Sequence, residues 1–175
     1  MNPDPPSLAI ITSYFNQSRY LESFLDNIES QSFWKFSTLV MDVNDPSQSD
    51  IERLETFSSR YRGQVVMRHH KHVVSLPVSW NWCLSQVASD LVAIWNVDDR
   101  RYRDSLERQV QALSCNETAV VAAGPYFDVR EIDSTNGILI DNRKLTRESL
   151  ETGMALGPFF MFRRTCLEAL VGFDE

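Results

Sequence analysis

Near the middle of the chain, Val92–Arg101 reads VAIWNVDDRR: an apolar run stops at an amide, Asn96, and sets Asp98 beside Asp99 and Arg100 beside Arg101. Adjacent carboxylates repel when partly buried together. A hard divalent cation relieves that repulsion, and Mn²⁺ or Mg²⁺ takes one or two carboxylates and completes its shell with water and phosphate oxygens. The bland alternative is a solvated acidic turn with the two arginines as counter-ions. Two more polar stretches could join such a site, Thr12-Ser13-Tyr14-Phe15-Asn16 and the DVNDPSQSD run from Asp42 to Asp50. The basic run Arg68-His69-His70-Lys71-His72 reads as a polar loop after a strand rather than a metal cluster.

These residues need elements to hold them. Ser7–Thr12, Thr38–Asp42, Gln64–Arg68, Leu91–Trp95 and Ala119–Ala123 are short apolar runs that read as buried strands. Between them, apolar residues recur at helical spacing: Leu21, Phe24, Leu25 and Ile28; Ile51, Leu54, Phe57 and Tyr61; Trp80, Cys83, Leu84 and Val87; Leu106, Val110 and Leu113. Ser49-Asp50-Ile51-Glu52 reads as a capping box for the second helix, and Pro77 suits the first turn of the third. Alternating strands and helices predict an α/β, doubly wound, mostly parallel sheet with helices on both faces. After residue 125 the pattern changes to a small antiparallel addition. Tyr126–Ile132 and Gly137–Ile140 flank an Asn136-Gly137 turn, a hairpin signal; Phe159–Phe162 reads as a strand and Thr165–Val171 as a short helix. With strand order 3-2-1-4, three polar strand ends converge on the crevice beyond the carboxyl ends, where open α/β sheets bind ligands. Trp80, Trp82 and Trp95 read as core or pocket wall, and Arg100, Arg101 and Arg103 as a solvated helix start or phosphate contacts.

In that order the motifs resemble those of a family 2 glycosyltransferase with the GT-A fold, specifically its nucleotide-binding part. The carriers are Thr12 to Asn16, the Asp42–Asp50 loop, Trp80-Asn81-Trp82, Ala88-Ser89-Asp90 leading into LVAIWNVDD, and Gly157 to Arg164 followed by Val171-Gly172-Phe173-Asp174-Glu175. The resemblance covers nearly the whole chain. It implies one GT-A-like domain over 1–175, with 1–125 as the nucleotide-binding part and 126–175 as the start of the acceptor side. It implies transfer of a sugar from a nucleoside-diphosphate donor, UDP-sugar first, to a hydroxyl acceptor such as a saccharide, with inversion. Tyr14 and Asp42 would hold base or ribose, with Thr12, Asn16, Asp45, Arg68 and Asn81 around the nucleotide. Asn96 stands where the family has the first acid of its metal motif, near ribose or diphosphate. Asp98 and Asp99 would hold Mn²⁺ or Mg²⁺, and Asp98 would reach the diphosphate through it. The catalytic base implied by the family lies just past the GFDE-like segment, beyond Glu175, so the chain reads as truncated.

Composition sets limits on other functions. Lys and Arg number 17 against 24 Asp and Glu, a net charge of −7, which argues against broad nucleic-acid or anionic-membrane binding. No apolar run approaches a membrane span, the N-terminus lacks a signal-peptide pattern, and three scattered cysteines fit neither zinc nor a disulfide framework; a cytoplasmic protein is expected. Two other classes compete. A nucleotidyltransferase would want a glycine-rich loop after the first strand, and TSYFNQSR has none. A non-catalytic nucleotide-sugar-binding or interaction module is the remaining alternative.

Overall fold

A computed structural model of the protein describes residues 6–130, 134, 136–141, 146–152, 156–168 and 172–174. Leu8–Phe15 (β1), Ser37–Asn44 (β2), Val65–His70 (β3) and Leu91–Ile94 (β4) lie side by side as β3-β2-β1-β4, all parallel, in the order expected. Val121–Ala123 (β5), Tyr126–Val129 (β6), Gly137–Ile140 (β7) and Phe160–Arg163 (β8) follow. Strand β8 runs antiparallel between β4 and β5, and β6 and β7 form a separate antiparallel pair.

Ser18–Glu29 (α1), Gln48–Arg60 (α2), Leu76–Ser85 (α3), Ser105–Ser114 (α4) and Arg147–Thr152 (α5) are the helices. Strand alternation sends Leu8, Ile10, Leu39, Met41, Leu91 and Ala93 into one core with Leu21, Phe24 and Ile28 of α1, Leu54 and Phe57 of α2, and Leu106, Val110 and Leu113 of α4. Ile11, Val40, Val92 and Ile94 meet α3 on the other face through Cys83. The mixed α/β fold with helices on both faces is therefore as read from the pattern. Among the described residues no helix is long and apolar enough to cross a membrane.

Several local expectations are corrected. Strand β1 runs to Phe15 rather than Thr12, and β3 to His70 rather than Arg68, because β2 supplies partners as far as the pairs Phe15↔Asn44 and Asn44↔His70. Three of the five residues of the supposed basic loop, Arg68, His69 and His70, are thus strand. The hairpin does not turn at Asn136-Gly137. Val129 pairs with Gly137, so Gly137 opens β7 instead of sitting in a two-residue turn. A Cβ there would sit 2.7 Å from Val129 Cγ1, so crowding across the pair demands the glycine. The short helix after β8 is a 3₁₀ turn over Arg164–Glu168. Ile132, Val171 and Glu175 lie outside the described residues.

The capping box also starts earlier than expected. Ser47 is the N-cap, with extended backbone at φ −67 and ψ 160, while Ser49 already lies within α2; Asp50 is the acid that reaches back. Its Oδ2 accepts from the hydroxyls of Tyr14, Ser18 and Ser47, each at 2.7 Å, and from Ser47 N at 3.3 Å. One buried carboxylate therefore ties the β1–α1 loop to the β2–α2 loop. Burial pushes its pKa up, but those hydroxyls and the Ser47 backbone pull harder, so the net shift is downward. Asp50→Ala should cost about 2–3 kcal/mol in urea unfolding, the value of hydrogen bonds to a charged acceptor. Because the folded-state pKa is lowered, this contribution is complete above the ordinary carboxylate range near ~4 and fades as pH falls through the folded value. A wild-type-to-mutant gap unchanged between pH 7 and pH 3 would contradict it.

Candidate functional site

The sheet reverses its winding between β1 and β4, and β1 outruns β4 there: Ile11 pairs with Ile94, the last residue of β4, while β1 continues to Phe15. The turn after β4 fills the resulting notch. Trp95 N donates to Ile11 O at 3.1 Å, and Thr12 Oγ1 donates to Trp95 O at 2.9 Å. Thr12 is fully buried, so its hydroxyl fastens the turn.

Within the turn, Asp99 N donates to Asn96 O and Trp95 Nε1 to Asp99 O, both at 3.1 Å. Asn96 Nδ2 donates to Asp99 Oδ2 at 3.0 Å. Asp98 is exposed and Asp99 half-buried. Burial pushes the Asp99 carboxyl up to about 6; Asn96 and Arg101 act against the rise and Asp98 adds to it. This donor set fits a divalent ion: two neighbouring carboxylates, one of them oriented by an amide and reluctant to ionise without a cation. Among the described residues no group of three or more His, Cys, Asp or Glu could hold a metal, so a bound ion would need oxygens from water or ligand.

The α3 face of β2 and β3 carries a second cluster. Asp42 is fully buried, and Arg68 grips it with Nε at 2.9 Å from Oδ1 and Nη2 at 2.8 Å from Oδ2. His70 Nε2 lies 3.0 Å from Oδ1, outside hydrogen-bonding geometry. The Trp82 ring covers the guanidinium at 4.3 Å. The pairing follows from register, since Asp42 and Arg68 are partners across β2 and β3. Ser13 and Ser79 join β1 to α3 beside it at 2.8 Å.

Not every expected residue joins these clusters. Tyr14 and Asp42 point to opposite faces of the sheet. Tyr14 has no exposed surface, its hydroxyl is taken by Asp50, and burial pushes its pKa up to about 12. Asn81 instead clamps the Gly172-Phe173 segment: its Nδ2 donates to Phe173 O at 2.9 Å and its Oδ1 accepts from Phe173 N at 2.7 Å. Gly172 has φ 116, and a Cβ there would come 2.5 Å from Asn81 Oδ1. Asn16 and Asp45 are exposed at loop bends with φ 52 and φ 46. Arg101 is buried rather than part of a solvated helix start, and α4 begins only at Ser105.

One residue the sequence reading passed over is Phe15. It ends β1 on the Asp42 side of the sheet and is 47% exposed. The available signal was alternation: if Tyr14 is inside, its neighbour is out.

The whole-chain comparisons agree with this architecture. The glycosyl transferase family 2 model matches residues 9–171. A curated relative, EpsE of Bacillus subtilis (strain 168), provisionally named a glycosyltransferase, is 28% identical over 109 residues, covering 62% of this chain and 38% of its own length. The mannosyltransferase PcManGT from Pyrobaculum calidifontis, solved with GDP-Man and Mn²⁺, superposes with TM-score 0.72 at 18% identity over 97% of this chain and 48% of that one. S. aureus TarS 1–349, solved with UDP, gives TM-score 0.77 at 15% identity over 96% and 50%. The chain thus spans about half the length of those structures. Its fold is that of the GT-A glycosyltransferases, and the chain belongs to glycosyltransferase family 2.

Proposed function

We propose that the crevice beyond β1, β2 and β4 binds a nucleoside-diphosphate sugar, UDP-sugar first, together with Mn²⁺ or Mg²⁺, and serves transfer of the sugar to a saccharide hydroxyl with inversion. The observation that carries this reading is convergence. An exposed aromatic at the end of β1, the Asp42–Arg68 pair two residues short of the ends of β2 and β3, and a two-carboxylate turn after β4 are carried by neighbouring strands around one topological switch. The complexes of similar structures with GDP-Man and Mn²⁺, with UDP and with UDP-GlcNAc support the same ligand class.

In this reading Phe15 offers its ring to the base. Asp42 sets the Arg68 guanidinium, whose remaining N–H groups meet base or ribose. Asn16 and Asp45 line the rim. Thr12, Tyr14 and Asn81 hold the loops from behind. Asp98 and Asp99 hold the ion, with Asn96 orienting Asp99. When bound, the ion neutralises the charge that develops on the departing diphosphate. The acceptor hydroxyl must also lose a proton to a base, and the residues named here serve donor binding.

Titrating UDP and GDP into wild type and Phe15→Ala, each with Mn²⁺, tests the base contact. Losing a stacked base should weaken the nucleotide by about 1–3 kcal/mol. Equal affinity in the two proteins would remove Phe15 from the site.

A further inference from the structure

Arg101 is the one buried Lys or Arg among the described residues, 4% exposed. Its guanidinium lies 5.2 Å from the Trp95 ring and 5.1 Å from the Phe159 ring. No carboxylate among the described residues comes within ion-pair distance, and its Nε has no partner. Burying a cation this way is costly, so what the side chain holds in return matters. Nη2 donates to Ile94 O at 3.0 Å, where the chain leaves β4. Nη1 donates to Gln109 Oε1 of α4 at 2.9 Å. The main chain of the same residue is gripped by α1: Arg101 N donates to Asn27 Oδ1 at 2.8 Å, and Asn27 Nδ2 donates to Arg101 O at 3.0 Å. One residue therefore closes the loop 94–101 into a ring, its backbone fixing the far end and its side chain reaching back to the near end. Asn96, Asp98 and Asp99 lie inside that ring.

We infer that Arg101 is a positioning residue for the carboxylate pair, bracing the loop from beneath so that Asp98 and Asp99 keep one spacing toward a divalent ion. The inference rests on the proposed role of those two carboxylates. Bracing and bare charge have opposite signs here. A cation beside two carboxylates repels a metal, so deleting it from a loop that stayed in place would tighten metal binding. If Arg101 braces the loop, deletion lets the carboxylates drift and binding weakens.

The test measures free Mn²⁺ by electron paramagnetic resonance during titration of wild type, Arg101→Lys, Arg101→Met and Gln109→Met. UDP and GDP titrations with Mn²⁺ and with EDTA accompany it. Lys keeps the charge and loses the fork; Gln109→Met removes the acceptor on α4 and leaves Arg101 intact. Arg101→Lys and Arg101→Met should each weaken Mn²⁺ about tenfold, the usual cost of losing a group that orients a ligand. Gln109→Met should shift it less in the same direction, and EDTA-treated nucleotide affinity should stay within about twofold. Should Arg101→Met fail to fold, Arg101→Lys and Gln109→Met carry the test. Unchanged or tighter Mn²⁺ binding in the folded variants would overturn the inference, as would an equal loss of metal-free nucleotide affinity. A wild type that binds no Mn²⁺ would instead overturn the metal role of Asp98 and Asp99, and the inference with it.

Discussion

Arg68→Ala should destabilise the protein by about 3–5 kcal/mol, the cost of removing one partner from a buried ion pair. Asp42 has no exposed side-chain surface and takes both of its hydrogen bonds from this guanidinium, at 2.9 and 2.8 Å. Without it the carboxylate stays in the sheet with only His70 nearby. The reverse change should cost less. The Arg68 side chain is 31% exposed and can turn toward water when Asp42 is removed. The asymmetry follows from where the desolvation penalty falls. Urea unfolding of Arg68→Ala, Asp42→Ala and the double variant reads it directly. A loss below about 1 kcal/mol for Arg68→Ala, in the range of a surface pair, would mean that the two side chains do not meet as described.

The second large effect concerns the ion. Asp98→Ala/Asp99→Ala should weaken Mn²⁺-supported nucleotide binding at least ~100-fold, more than loss of an outer partner of a metal site costs. Thermal stability should hold or rise, since the change relieves two crowded carboxylates, one of them half-buried. Its pH dependence has a definite sign. Burial raises Asp99 to about 6, so below that pH a proton occupies the oxygen that the ion needs. Metal affinity of the wild type should fall about tenfold per unit below pH 6, because ligation must displace that proton. Fluorescence titration with Mn²⁺ across pH 5–8 checks this; a flat profile would exclude Asp99 as a ligand.

Much of the sheet was legible because its signals are local. Apolar runs such as LAII and LVAI, alternating with helices whose apolar residues recur every three or four positions, leave few topologies, and the order β3-β2-β1-β4 follows. The misses fall where a neighbour decides. Strand β1 runs three residues past Thr12 and β3 two past Arg68 because β2 offers them partners, and no residue in those tails announces it. Gly137 looked like a turn residue, yet it serves a crowded cross-strand position.

The site shows the same division. That Asp98 and Asp99 follow a strand could be read from composition along the chain, whereas Asp42, expected to end the second strand, lies inside β2, which β1 and β3 extend to Asn44. That Asp42 belongs to Arg68 could not, since the contact depends on the register of two strands 26 positions apart. Tyr14 and Phe15 differ by one position, and strand alternation buries the first and exposes the second. Arg101 looked solvated because its neighbours Arg100 and Arg103 are charged. Its burial comes from Gln109, Trp95 and Phe159, which reach it only in the folded chain.

In the function proposed above, one crevice holds a nucleoside diphosphate through a divalent ion. Isothermal titration of the wild-type chain with UDP and with GDP, in Mn²⁺ and then in EDTA, tests it most directly. One site per chain is expected, with affinity that collapses when the ion is removed. Binding of neither nucleotide in the presence of Mn²⁺, or binding equally strong in EDTA, would contradict it.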